Sequence, residues 1–92
     1  MPFVQTSVVD TDGSITTAPA IVYGVLAAAG DTGGLWQLND STDDSGDDLI
    51  SGFAQASSQT YIDLSNSPVQ FSTGIRADLP GSNQILTVFY TS

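Results

Sequence analysis

The chain has 92 residues, with ten aspartates, one arginine, and no glutamate, lysine, histidine or cysteine, which gives a formal charge of -9 although only 12% of residues are charged. A chain of this size makes one domain, without disulfides, a thiolate nucleophile, an imidazole base or a nitrogen ligand for a transition metal. The scarcity of cations argues against nucleic acid as a partner, no apolar run approaches a membrane span, and there is no basic n-region of a signal peptide.

The residues that usually cover exposed helix faces, Glu and Lys, are missing. Ser and Thr take their place, and these suit turns and pleated surfaces. Residues 2–9 alternate loosely, with Phe3 and Val9 on one side and Val4 and Val8 on the other. Thr11-Asp12-Gly13 reads as a turn, and residues 14–18 as a short strand ended by Pro19. Residues 1–19 are therefore expected to be an N-terminal arm or an edge hairpin, and residues 20–92 the domain proper. In residues 20–29, AIVYGVLAAA, the hydroxyl of Tyr23 is the sole polar side-chain group. A strand apolar on both faces is buried on both, either centrally or at a subunit contact.

Gly30 to Gly34 make a turn, after which residues 35–39 alternate and place Trp36 and Leu38 inward. Residues 40–48, DSTDDSGDD, are an acidic loop without an apolar side chain. Residues 49–55 fit a helical face through Leu49, Ile50, Phe53 and Ala54, but Ser51 and Gly52 favour a strand. Residues 60–64 turn Ile62 and Leu64 inward and Tyr61 and Asp63 outward. Val69 and Phe71 alternate against Gln70, residues 75–79 carry the cleanest period of two, and residues 84–91 form a last, mostly apolar strand. Seven or eight short strands separated by turn signals predict an all-β, antiparallel two-sheet sandwich, jelly-roll or immunoglobulin-like in type.

Three groups of residues invite a chemical reading. Asp31-Thr32-Gly33 matches the triplet of the small, dimeric retroviral-type aspartic proteases, whose two carboxylates share a proton. Gly30 and Gly34 flank the triplet, however, which makes it part of a glycine-rich turn, and the apolar-apolar-Gly element that those enzymes carry near the C-terminus is missing. Asp40, Asp43, Asp44, Asp47 and Asp48 are weak candidates for a calcium loop. An EF-hand register fails on them, since Ser41 and Ser45 fall at ligand positions and Gly52 where the closing glutamate belongs. A solvated acidic loop that keeps the protein soluble is the plainer account. Paired aspartates also serve glycoside hydrolysis, but the chain is too short to set a substrate cleft beside a core. Arg76, the only cationic side chain, shares a strand face with Asp78 and makes either a surface ion pair or a contact between subunits. Trp36 belongs between the sheets, and Tyr23 at an edge or a subunit contact.

The segments IVYGVLAAAGDTGGLWQLND, SGDDLI, TYIDLSNSPVQFSTGIRADLPGS and ILTVFYT together resemble the small head decoration, or cement, proteins of tailed phages. The resemblance spans residues 21–90 and carries no catalytic signature; residues 1–19 lie outside it. It implies a non-enzymatic, cofactor-free virion protein on the outer surface of the capsid, binding the major capsid protein and its own copies as a homotrimer. The interface candidates are Phe3, Val4, Val8, Tyr23 and Arg76. The alternative is a phage spike, fibre or tail-tip β domain that recognises a receptor or glycan, and the remote alternative is a protease acting through Asp31. Neither nucleic acid nor membrane is expected as a partner.

Overall fold

The computed structural model describes residues 4–31, 33–43, 45–79 and 84–91. Among the described residues nine strands make two antiparallel sheets packed as a sandwich, one strand more than the upper expectation from sequence. They are β1 (Gln5–Val9), β2 (Gly13–Thr16), β3 (Ala20–Ala29), β4 (Gly34–Asn39), β5 (Asp48–Ala54), β6 (Ser58–Asp63), β7 (Val69–Phe71), β8 (Ile75–Asp78) and β9 (Gln84–Thr91). The five-stranded sheet runs β1-β9-β3-β6, with β7 also paired to β3, and the four-stranded sheet runs β2-β8-β4-β5.

Residues 1–19 are neither a free arm nor a hairpin where the structure describes them. β1 pairs with β9 at the edge of one sheet and β2 pairs with β8 at the edge of the other, so Asp10 to Asp12 turn a corner between sheets. The corner is held at long range: the Leu79 N–H donates to Asp12 Oδ1 at 2.7 Å. Phe3 lies outside the described residues.

Alternation fills the core as its period of two requires. Trp36, Leu38, Ile75, Ala77, Leu86, Val88 and Phe71 are buried in one cluster between the sheets. β3 departs from simple alternation at Tyr23. Val22 pairs with Tyr90 and Gly24 with Phe89, so Tyr23 is the extra residue of a bulge. The bulge shifts the inward phase, from Ala20 and Val22 before it to Val25 and Ala27 after it. At the same point β3 changes neighbour on its other side, from β7 (Val22 opposite Val69) to β6 (Gly24 opposite Asp63). The apolar run of residues 20–29 is thus partly a phase change.

Residues 49–54 form strand rather than helix, which turns Ile50 and Ala54 inward and leaves Phe53 exposed beside Leu35. Across β4 and β5, Trp36 lies opposite Gly52, and its indole covers that glycine. A Cβ at residue 52 would stand 2.7 Å from Trp36 Cζ2 and 2.9 Å from Cε2. Gly52→Ala is therefore expected to displace the indole and lower stability by about 1–3 kcal/mol, whereas Ser51→Ala on the opposite face changes it by less than about 0.5 kcal/mol. Denaturant titration of both variants measures the difference.

Candidate functional site

The chemistry-bearing residues collect where the loop of residues 40–47 closes over the outer face of the four-stranded sheet. The Asp40 N–H donates to the Asp47 carbonyl at 2.9 Å, which draws the base of the loop together. The Asp40 side chain leaves the loop and reaches the connection between β7 and β8. There its carboxylate accepts from the backbone N–H groups of Ser72 (3.0 Å), Thr73 (2.7 Å) and, at longer range, Gly74 (3.4 Å). Successive backbone N–H groups turned to one point form an anion-binding concavity, and the chain fills this one with its own carboxylate. The Thr73 N–H, helped by those of Ser72 and Gly74 and opposed by partial burial, holds the Asp40 carboxyl below its ordinary value of 3.8.

Beside this clamp lies a polar knot around Asn39, which is 2% exposed. Its Nδ2 donates to Asp78 Oδ2 at 2.8 Å and to Asp48 Oδ1 at 3.3 Å. The Ser41 hydroxyl stands 2.8 Å from Asn39 Oδ1 and also faces the Asp43 carbonyl, and its one hydrogen serves either acceptor. Both donors of the buried amide are used, as its burial demands. Arg76 lies opposite Asn39 on β8. Its Nε is 3.8 Å from Asp78 Oδ1, an ion pair within the chain that is longer than a hydrogen bond. That Nε is buried and has no hydrogen-bond partner among the described residues.

The four described acidic-loop candidates therefore do not converge on one point. Asp40 is committed to the amides of residues 72–74. Asp43 takes the Ser45 N–H at 2.8 Å in a local turn. The Ser45 hydroxyl, then that N–H, and the Arg76 charge to a smaller extent, lower the Asp43 carboxyl from its ordinary value. Asp48 is bound to Asn39, Asp47 is exposed, and Asp44 lies outside the described residues. Among the described residues no three carboxylates are grouped to hold a metal ion.

Asp31 is exposed in the turn between β3 and β4; Thr32 lies outside the described residues. The turn is fixed by the Ser57 N–H, which donates to the Gly30 carbonyl and continues the β3–β6 ladder one step beyond Ala29 and Ser58. Of the interface candidates, Val4 and Val8 are exposed on and beside β1, Tyr23 is half-buried at the bulge, and Arg76 is half-buried beneath the acidic loop.

Sequence reasoning missed Asp12 and Asp40 as long-range staples and Asn39 as the centre of the polar knot. It also missed the exposure of Leu35, Leu49 and Phe53 around the β4–β5 hairpin and of Ile85 on the other sheet, whereas Tyr61 is outward as its alternation implied. The spacing of Trp36 and Leu38 already set Leu35 on the outward side, and the same alternation applied to Ile50 would have placed Phe53 there.

The clamp makes stability depend on pH with a definite sign. Because the folded-state pKa of Asp40 is lowered, its contribution is fully present above the ordinary value of 3.8 and is lost as pH falls through the lowered one. Asp40→Ala is expected to cost about 1–2 kcal/mol at pH 7, allowing for solvent screening. The gap between wild type and variant stays constant down to about pH 5 and closes below about pH 4; urea titrations across that range measure it. Searches against known protein families, curated proteins and solved structures find no match to this chain.

Proposed function

We propose that this protein is a non-enzymatic virion component, a decoration protein that binds the outer surface of a capsid shell. The observation that carries this reading is the amount of apolar surface left on a small, tightly stapled sandwich. Val4, Val8, Leu35, Leu49, Phe53, Tyr61 and Ile85 are all 40% or more exposed in a 92-residue chain. Large exposed apolar side chains gathered on sheet faces mark surfaces that meet other proteins.

The two sheets offer different surfaces. On the four-stranded sheet, Leu35 and Phe53 face each other across β4 and β5, and the carboxylates of the acidic loop lie at the far end of the same hairpin. An apolar patch bordered by acids suits a neutral or basic protein surface, where the acids steer approach and the apolar residues hold. A capsid lattice repeats such a surface many times, so modest contacts accumulate into a firm hold. The sequence resemblance to phage cement proteins points the same way. Carboxylates used as structural acceptors suit a chain whose task is durability.

The test is stoichiometry. Quantitative mass spectrometry of the particle that contains this chain is expected to find hundreds of copies, with density on the outer shell in cryo-electron microscopy. A few copies confined to the tail or the vertices would overturn the reading in favour of a receptor-binding spike or tail-tip domain. Phe53→Asp is expected to weaken capsid binding at least tenfold and leave the fold intact. Retention of full binding would remove the four-stranded face as the capsid contact.

A further inference from the structure

The outer face of the five-stranded sheet carries exposed apolar side chains from several strands, with Thr6, Gln59, Asp63 and Thr87 among them, and has no cover among the described residues. β1 contributes Val8, which lies opposite Thr87, and Val4 stands just before β1. β9 contributes Ile85 and Phe89, β3 contributes Leu26 and Ala28, and β6 contributes Tyr61. Val8 is 64% exposed, Tyr61 54%, Val4 53% and Ile85 45%. β9 and β3 are the two inner strands; outward, β9 alternates Ile85 and Phe89 with Thr87 and Thr91, and β3 presents Leu26 and Ala28.

The centre of this face is built. Tyr61 lies diagonally across from Gly24, and a Cβ on Gly24 would stand 2.5 Å from the Tyr61 hydroxyl. The missing side chain lets the phenol lie flat over β3, an aromatic ring covering a strand glycine. There it meets Phe89 edge to face, with centroids 5.9 Å apart and planes at 81°. An exposed tyrosine packed edge to face on a phenylalanine of the inner strands is the kind of aromatic group that anchors interfaces.

We propose that this face is covered by the same face of a second copy of the chain, related by a two-fold axis. Charge selects the occupant. Among the described aspartates, Asp40, Asp43, Asp47, Asp48 and Asp78 belong to the four-stranded sheet and its acidic loop, and Asp12 is tied to Leu79. Asp10 and Asp31 sit in turns beyond the strand ends, and Asp63 closes β6 at the sheet edge. Asp63, outward on the edge strand opposite Gly24, is the one described carboxylate on the face, and it accepts from the Ser65 N–H. A cationic partner finds a single carboxylate at one edge, whereas another copy of charge -9, placed about an axis through β9 and β3, keeps the two Asp63 side chains at opposite edges. The remaining charges repel mainly through solvent, over distances at which salt screens them.

Area agrees. The molecule measures 38 × 27 × 17 Å, so this sheet is one of its two broad sides. Four strands spaced by about 4.8 Å, six residues long at about 3.4 Å each, with their side-chain margins, give a footprint on the order of 500–600 Å² per copy. Doubling this gives roughly 1,100 Å², at the lower end of specific interfaces and consistent with a dimer of micromolar Kd. A two-fold axis pairs one patch with the same patch of its mate and closes at two copies, which sets a dimer in place of the trimer that the family resemblance implies. The dimer stands independently of capsid binding, because it concerns the isolated chain.

Sedimentation velocity on the purified protein from about 1 to 500 µM tests it, that range bracketing the expected Kd. Wild type is expected to pass from monomer to dimer. Val8→Lys combined with Ile85→Lys, both at exposed positions, is expected to raise the Kd at least tenfold. Tyr61→Ser removes the central ring without adding charge and does the same, which guards against one variant misfolding; circular dichroism checks the fold of each. Phe53→Lys, on the other sheet, leaves the dimer intact. Raising NaCl from 50 to 500 mM tightens the dimer, since it screens like charges. A monomer throughout the range, a trimer, disruption by Phe53→Lys in place of the Val8 and Ile85 changes, or weakening by salt would each overturn the proposal.

Discussion

β3 is the strand on which the other pairings converge. It takes β9 along one side and divides its other side between β7 and β6, changing partner at the Tyr23 bulge. β1 reaches the sheet through β9. Among the described strands only β4 and β5 are consecutive and paired with each other, so turn geometry fixes register in one place, and elsewhere strands far apart in the chain must find each other. Register in such a sheet comes from side-chain alternation and from contacts that tie distant segments. The bulge matters because it sets the phase of β3 on each side of Tyr23; without it, either Ala20 and Val22 or Val25 and Ala27 would face away from the core.

The distant ties are carboxylates. Asp12 takes an N–H from residue 79, Asp40 takes three from residues 72–74, and Asp48 and Asp78 share the buried amide of Asn39. An aspartate is short and carries no donor when ionised, so it satisfies exposed backbone N–H groups at loop junctions with little loss of side-chain entropy. The same charges that repel one another through solvent are, in these pairs, the acceptors that close the sandwich.

The fold was legible where period-two alternation is strong. Trp36, Leu38, Ile75, Ala77 and Phe71 fall inward as their spacing requires, and β3, β4, β8 and β9 lie within a residue or two of their expected bounds. Nothing in Ile21-Val22-Tyr23-Gly24-Val25 announces a bulge, because every residue there suits either face. Residues 5–16 read as a hairpin because Asp-Gly is a turn signal, and a turn signal does not say whether the chain comes back to its own sheet or crosses to the other. The roles of Asp12 and Asp40 were hidden for a related reason. Their donors are backbone N–H groups 67 and 33 residues away, and such groups leave no mark in a sequence. The acidic loop was visible as composition, but its division into a clamp, a knot and local turns depends on where the β7–β8 connection lies in space.

The position of Arg76 has a practical consequence. It is the only Lys or Arg in the chain, so trypsin has a single bond to cut, between Arg76 and Ala77. That bond lies in β8, which is flanked by β2 and β4, and Ala77 is completely buried. The peptide enters a protease cleft only when β8 leaves the sheet, and with it goes the packing of Ile75, Ala77 and Leu38. Tryptic cleavage of this molecule is therefore a clock for the opening of its core, blind to fraying at termini and loops.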